Sequence, residues 1–135
     1  MCEDQASMPV TWTLDLSGRF AVLSITDPHT FDEWRSNVLA MLAATSAVPR
    51  MSVLVDRRQS TPPSAEDVKQ MVEFFEQNRP ALSGRSAAIV VADDAGFGVA
   101  RMVELRSRLE LPDGLIRVFR YYDDAVAWLT SGAGA

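Results

Sequence analysis

Cysteine is confined to Cys2, so one chain offers neither a disulfide framework nor a cysteine-based zinc site. Histidine is as scarce: His29 stands alone, which leaves zinc without a ligand set. No apolar run approaches the roughly 18–20 residues of a membrane span. The first residues, MCEDQASMP, are acidic where a secretory signal would be basic and then apolar, so no signal peptide is expected. A reducing cytoplasm is the expected location. Lysine is reduced to Lys69 against twelve arginines, and those arginines never cluster beyond two. With a net charge of −5, the chain lacks the basic patch that a nucleic-acid partner requires. It also lacks a G-x-S-x-G elbow or any other nucleophile motif, so neither catalysis nor a cofactor is expected.

What is present suits a packed core. Hydrophobic residues make up 47% of 135, enough for one domain without staples. That domain is expected over 8–131, with 1–7 and 132–135, small, polar or glycine-rich, as disordered ends. Val10–Leu16 alternates, placing Val10, Trp12, Leu14 and Leu16 on one face of a half-buried strand. Ser17-Gly18 reads as a two-residue turn into a second strand, Phe20–Ile25. Thr30 with Glu33 forms a capping box, and Phe31, Trp34, Val38, Met41, Leu42 and Thr45 keep helical spacing until Pro49. Met51–Val55 reads as a strand buried on both faces. Ser64 with Asp67 resembles a second capping box, opening a helix with an apolar face of Val68, Met71, Val72 and Phe75 that ends at Pro80. Phe74 falls off that stripe. Ala87–Ala92 is the next buried strand, and Asp93 or Asp94 can cap a helix reaching Leu109. Pro112-Asp113-Gly114 is a turn, Leu115–Phe119 the last strand, and Asp123 the cap of a last helix carrying Val126, Trp128 and Leu129.

The order is β-β-α-β-α-β-α-β-α. It predicts an α/β fold with a mixed, mostly parallel five-stranded sheet, an N-terminal antiparallel hairpin at or near one edge, and helices on both faces. Three stretches carry a resemblance: VLVDRR closing the third strand, RSAAIVVADDAGFGVARMVE running through a Gly-x-Gly turn, and VFRYYDDAVAWL at the end. With the starting hairpin, they resemble the SpoIIAA-like family of small STAS/SEC14-related bacterial domains over about residues 8–131. The resemblance implies the fold above and a regulatory or protein-binding module of mostly unassigned function. Its SEC14-like side implies the alternative of a carrier or sensor of a small apolar or lipid-like ligand. Related anti-sigma-factor antagonists are switched by a phosphoserine after the third strand, in an Asp-Ser-x-Gly-type motif. Here Asp56 is followed by Arg57-Arg58-Gln59, so that serine is not carried over.

Ligands of open α/β sheets sit beyond the carboxyl ends of the strands. The expected binding edge therefore gathers Asp56, Arg57, Arg58, Ser60, Thr61 and Ser64 with Asp93, Asp94, Gly96, Gly98 and Tyr121. Helix amino ends there favour anions. The blander reading is a solvated arginine pair followed by a capped helix. Asp56, Asp93 and Asp94 are the acidic residues a receiver domain would place around Mg²⁺, but the acidic pair follows the wrong strand and no lysine lies near Phe119. Gly96-Phe97-Gly98 lacks the spacing of a dinucleotide fingerprint and reads as a turn that admits close strand–helix approach. His29 is expected in an exposed loop before the first helix. The aromatics Trp12, Trp34, Phe75, Phe119 and Trp128 read as core, while Phe74, Tyr121 and Tyr122 leave open a partner surface or homodimer.

Overall fold

The computed structural model describes residues 9–48, 50–110 and 115–131. They form strands β1 (Val10–Leu14), β2 (Phe20–Thr26), β3 (Ser52–Gln59), β4 (Ser86–Val90) and β5 (Leu115–Phe119). The helices are α1 (Phe31–Ala44), α2 (Ala65–Gln77), the single turn α3 (Arg79–Leu82), α4 (Asp94–Glu110) and α5 (Tyr122–Thr130). The five strands lie side by side in chain order. β1 pairs antiparallel with β2, and every later pair is parallel. The α/β class, the mixed sheet and the edge position of the hairpin strand are thus as the sequence predicts.

Consecutive parallel strands laid down in one direction force crossovers of one hand to the same side. On that side Ala21, Leu23, Ile25 and Val53 meet Trp34, Val38, Met41 and Leu42 of α1 and Met71 and Phe74 of α2. Ile89 and Val91 meet Ala100 of α4, and Val103 of α4 packs with Val68 and Val72 of α2. α5 follows the last strand and crosses nothing, so it is free to cover the other face. There Phe20, Val22, Leu54, Ala88 and Val90 bury Ala125 and Trp128. Apolar residues on both faces of the central strands explain why those strands read as unbroken apolar runs.

The helix starts follow their caps. Thr30 accepts from the Glu33 N–H at 3.1 Å, and Glu33 Oε1 accepts from the Thr30 N–H at 2.8 Å, a complete box. Ser64 accepts from the Asp67 N–H at 3.1 Å without the reciprocal bond, so it is a plain N-cap. Asp93 Oδ1 accepts from the Gly96 N–H at 2.7 Å and opens α4.

Several local expectations are corrected. β1 stops at Leu14, because Asp15 turns its carboxylate onto the Ser17 N–H and hydroxyl and Gly18 takes φ +71°. Leu14 and Leu16 are consequently exposed rather than inward. Phe74 is buried and Phe75 only partly so, and Trp34 meets both edge-on, at 5.1 Å and 6.0 Å. α2 ends ahead of Pro80, at Asn78, whose side chain returns to the Phe74 carbonyl, and Pro80 falls inside α3. Gly96-Phe97-Gly98 lies within the opening turns of α4 and is not a turn of its own. α5 begins at Tyr122, so Asp123 sits in its first turn and does not cap it. Pro49, the turn Pro112-Asp113-Gly114 and the ends 1–7 and 132–135 lie outside the described residues.

Candidate functional site

β3 outruns its apolar stretch. It continues through Asp56, Arg57, Arg58 and Gln59, which therefore belong to the sheet and not to a loop. Ser24 pairs with Asp56 but Thr26 pairs with Gln59, so β3 carries one extra residue against β2 at the arginines. A bulge of this kind bends the strand and re-aims its side chains, and in parallel sheets it is rare.

The two arginines part company there. Arg58 sends Nε and Nη2 to the two oxygens of Asp56, each at 2.9 Å, while its N–H reaches Oδ1 at 3.1 Å. Its guanidinium stacks 4.8 Å over the Tyr122 ring on the α5 face. Burial alone would raise the Asp56 carboxyl, but the Arg58 hydrogen bonds and charge hold it below the ordinary carboxylate value. Burial, with the charges of Asp56 and Asp15, pushes Tyr122 up.

Arg57 turns to the opposite face and is only 7% exposed. Its Nη1 has a long contact of 3.4 Å to Ser60 Oγ, and Ser60 in turn donates to the Arg57 carbonyl at 3.2 Å. No carboxylate among the described residues forms an ion pair with it. Burial pulls its pKa down to about 10, while the charges of Asp27 and Asp67 pull the other way. The segment 60–63 is pinned above it: the Thr61 N–H donates to Asp27 Oδ2, and the Asp27 N–H to the Gln59 carbonyl.

Two clefts meet at this side chain. The first, about 60 Å³, runs from Arg57, Ser60, Thr61 and Pro63 to Asp93 and Gly96 at the amino end of α4. Its floor is apolar, from Met71, Ile89, Val91 and Val103. The second, about 100 Å³, lies between Arg57 and Asp27, His29, Trp34 and Asp67. His29 lies in the loop before α1 as expected, but its side chain is only 15% exposed, and Nδ1 lies 3.3 Å from Asp27 Oδ1 without hydrogen-bond geometry.

Of the residues expected at the edge, Arg57, Arg58, Ser60, Thr61, Asp93 and Gly96 line the first cleft. The others are elsewhere engaged. Asp56 holds Arg58, Ser64 caps α2, and Asp94 pairs with Arg120 at 2.6 Å. Gly98 faces open space, and Tyr121 is 70% exposed at the start of α5. Asp27, His29 and Asp67 were not anticipated. The carboxyl-end rule also reaches Asp27 and His29, which follow β2.

No family model matches the chain, and no curated protein does. A solved structure does: an uncharacterised protein of the DUF3478 family with a SpoIIAA-like fold, from Shewanella loihica PV-4. It superimposes with a TM-score of 0.63 at 13% identity, covering 89% of this chain and 91% of that one. The chain therefore has a SpoIIAA-like fold.

Proposed function

We propose that residues 8–131 form one STAS-related domain, non-catalytic and cytoplasmic, that regulates by binding a protein partner at the carboxyl edge of its sheet. The observation that carries this reading is Arg57, a buried cation opening onto two small clefts at the edge where this class of sheet presents its ligands. The carrier alternative asks for an enclosed pocket of roughly 300–1,000 Å³. The clefts beside Arg57, at about 60 and 100 Å³, suit a side-chain-sized group better. Switching by phosphorylation has less support, because the Ser60 hydroxyl is already bonded to the Arg57 carbonyl and the Ser64 hydroxyl caps α2.

Affinity capture from the native host, with wild type and Arg57→Glu run side by side, tests the reading. A specific partner recovered by wild type should be depleted at least about tenfold by the charge reversal, as expected when a buried charge pair is broken. Equal recovery by a folded Arg57→Glu variant moves the binding surface away from this edge.

A further inference from the structure

Exposed large apolar side chains are scattered over this molecule, with one exception. Leu14 and Leu16 ride the hairpin tip, and Leu39, Val48 and Tyr121 stand singly, as lone surface apolars do in most proteins. Met102 and Leu105 differ: they lie one turn apart on α4, 57% and 48% exposed. Ala95 and Gly98, also exposed, precede them, so the four recur at steps of three, four and three residues. In sequence, Leu109 continues the spacing. This is the seam by which one helix packs on another. α4 already uses a different stripe for the fold, in which Ala100 and Val103 are buried with Val99 packed beside them. The second seam therefore points away from the sheet. α2 shows what an ordinary solvent face holds: Glu66, Lys69, Glu73 and Glu76.

The outward seam is graded in size and in charge. Its amino half is small, Ala95 and Gly98, and a Cβ added at Gly98 would meet nothing within 4 Å. Its carboxyl half is bulky, Met102 and Leu105. Asp93 and Asp94 stand at the amino end, while Arg101, Arg106 and Arg108 follow from the middle onward, offset only in part by Glu104 and Glu110. The Asp94 side chain is 96% exposed, so its pair with Arg120 leaves carboxylate lone pairs open to a second cation. The Arg101 side chain, beside the seam, is 51% exposed. Two such helices laid in the same direction would set bulk against bulk and acid against acid. Laid antiparallel about a two-fold axis, they set the small half of each against the bulky half of the other. The acidic start of each then meets the arginine-bearing half of the other. One surface thus complements itself, which is the condition for an isologous interface. Flanking charges of opposite sign select that orientation over the parallel one. An unrelated partner would not require the two halves of one helix to match.

We propose that the outward face of α4 is an interface with a second copy of this chain, packed antiparallel through Ala95, Gly98, Met102 and Leu105. The seventeen residues of α4 span about 25 Å. One helix pair of that length is a small interface, so a dissociation constant in the micromolar range is expected. Because the helices run in opposite directions, the two Arg57 edges of the dimer face opposite ways and both stay open. Sedimentation velocity on the full chain, from about 1 to 500 μM, tests the interface. Wild type should pass from monomer to dimer across that range. Met102→Glu with Leu105→Glu should raise the dissociation constant at least about a hundredfold. Its Tm at low concentration should match that of wild type, since both side chains are exposed in the monomer. Gly98→Leu, which fills the small half, should also weaken the dimer, whereas Glu73→Ala on the outward face of α2 should leave it as in wild type. Wild type that stays monomeric throughout overturns the interface. So does a dimer untouched by the double substitution. A dimer tightened by Gly98→Leu overturns the antiparallel fit of small half to bulky half. Amides of 95–105 that shift only with a different host protein, and never with concentration, would give the face to that partner and overturn self-association.

Discussion

Asp27 directly follows β2 and Asp56 lies within the neighbouring parallel strand β3, and both are held below the ordinary carboxylate value. In each, burial works to raise the carboxyl and is outweighed, by Thr61 and His29 at Asp27 and by Arg58 at Asp56. A depressed folded value means that the unfolded chain binds protons first as the pH falls. Both residues therefore contribute stability above the ordinary carboxylate range, and that contribution is lost as the pH drops through and below it. Asp56→Asn should cost on the order of 0.5–1 kcal/mol at neutral pH, the scale of a well-aligned but partly exposed pair. It should also flatten the acid limb of a plot of denaturation midpoint against pH. An acid limb identical to that of wild type would show that the Arg58 pairing contributes nothing.

At the level of elements, α4 offers a controlled comparison between two glycines. A Cβ added at Gly98 meets nothing within 4 Å, whereas one at Gly96 meets Val91 Cβ and Asp93 Oδ1 at 3.2 Å. Val91, directly after β4, is held to the end of β5 through its N–H bond to the Phe119 carbonyl, so it yields little. Gly98→Ala should stabilise by about 0.5–1 kcal/mol through helix propensity alone. Gly96→Ala should lose that gain to the clash and end destabilised by on the order of 1 kcal/mol. Urea midpoints of the two variants decide the matter, and a stabilised Gly96→Ala would mean that α4 does not sit this close to the strand. The same close approach sets the width of the cleft beneath Arg57.

Across the whole molecule the layers are uneven. α1, α2 and α4 share one face of the sheet, while α5 covers the other. Trp128 of α5 packs against Phe119 with ring centroids 5.7 Å apart, over a face that includes Phe20, Val22 and Leu54. Trp128→Ala should cost about 3–5 kcal/mol in chemical denaturation. Truncation after Arg120 should expose that apolar face and give aggregated protein in size exclusion. A monomeric, cooperatively unfolding truncation would show that the face does not depend on α5.

Local pattern determined much of this protein. Thr30 and Glu33 announce α1 because both halves of a capping box lie within four residues of chain. The unbroken apolar runs of β3 and β4 announce central strands, because buried parallel strands need apolar side chains on both faces. The carboxyl edge follows from the parallel order, so part of the cleft lining was legible too. Other features were decided by neighbours distant in sequence. β3 continues through Asp56–Gln59 because β2 is there to pair with it, and the alternation of a strand then sends Arg57 and Arg58 to opposite faces. Phe74 joins the cluster of Trp34, Val38 and Met41 that α1 brings to it, and it is buried where Phe75 is only partly so. Two adjacent arginines are equivalent as letters. Only the fold makes one a carboxylate's partner and buries the other between two clefts, because burial and partnering belong to the surroundings of a side chain and not to its identity.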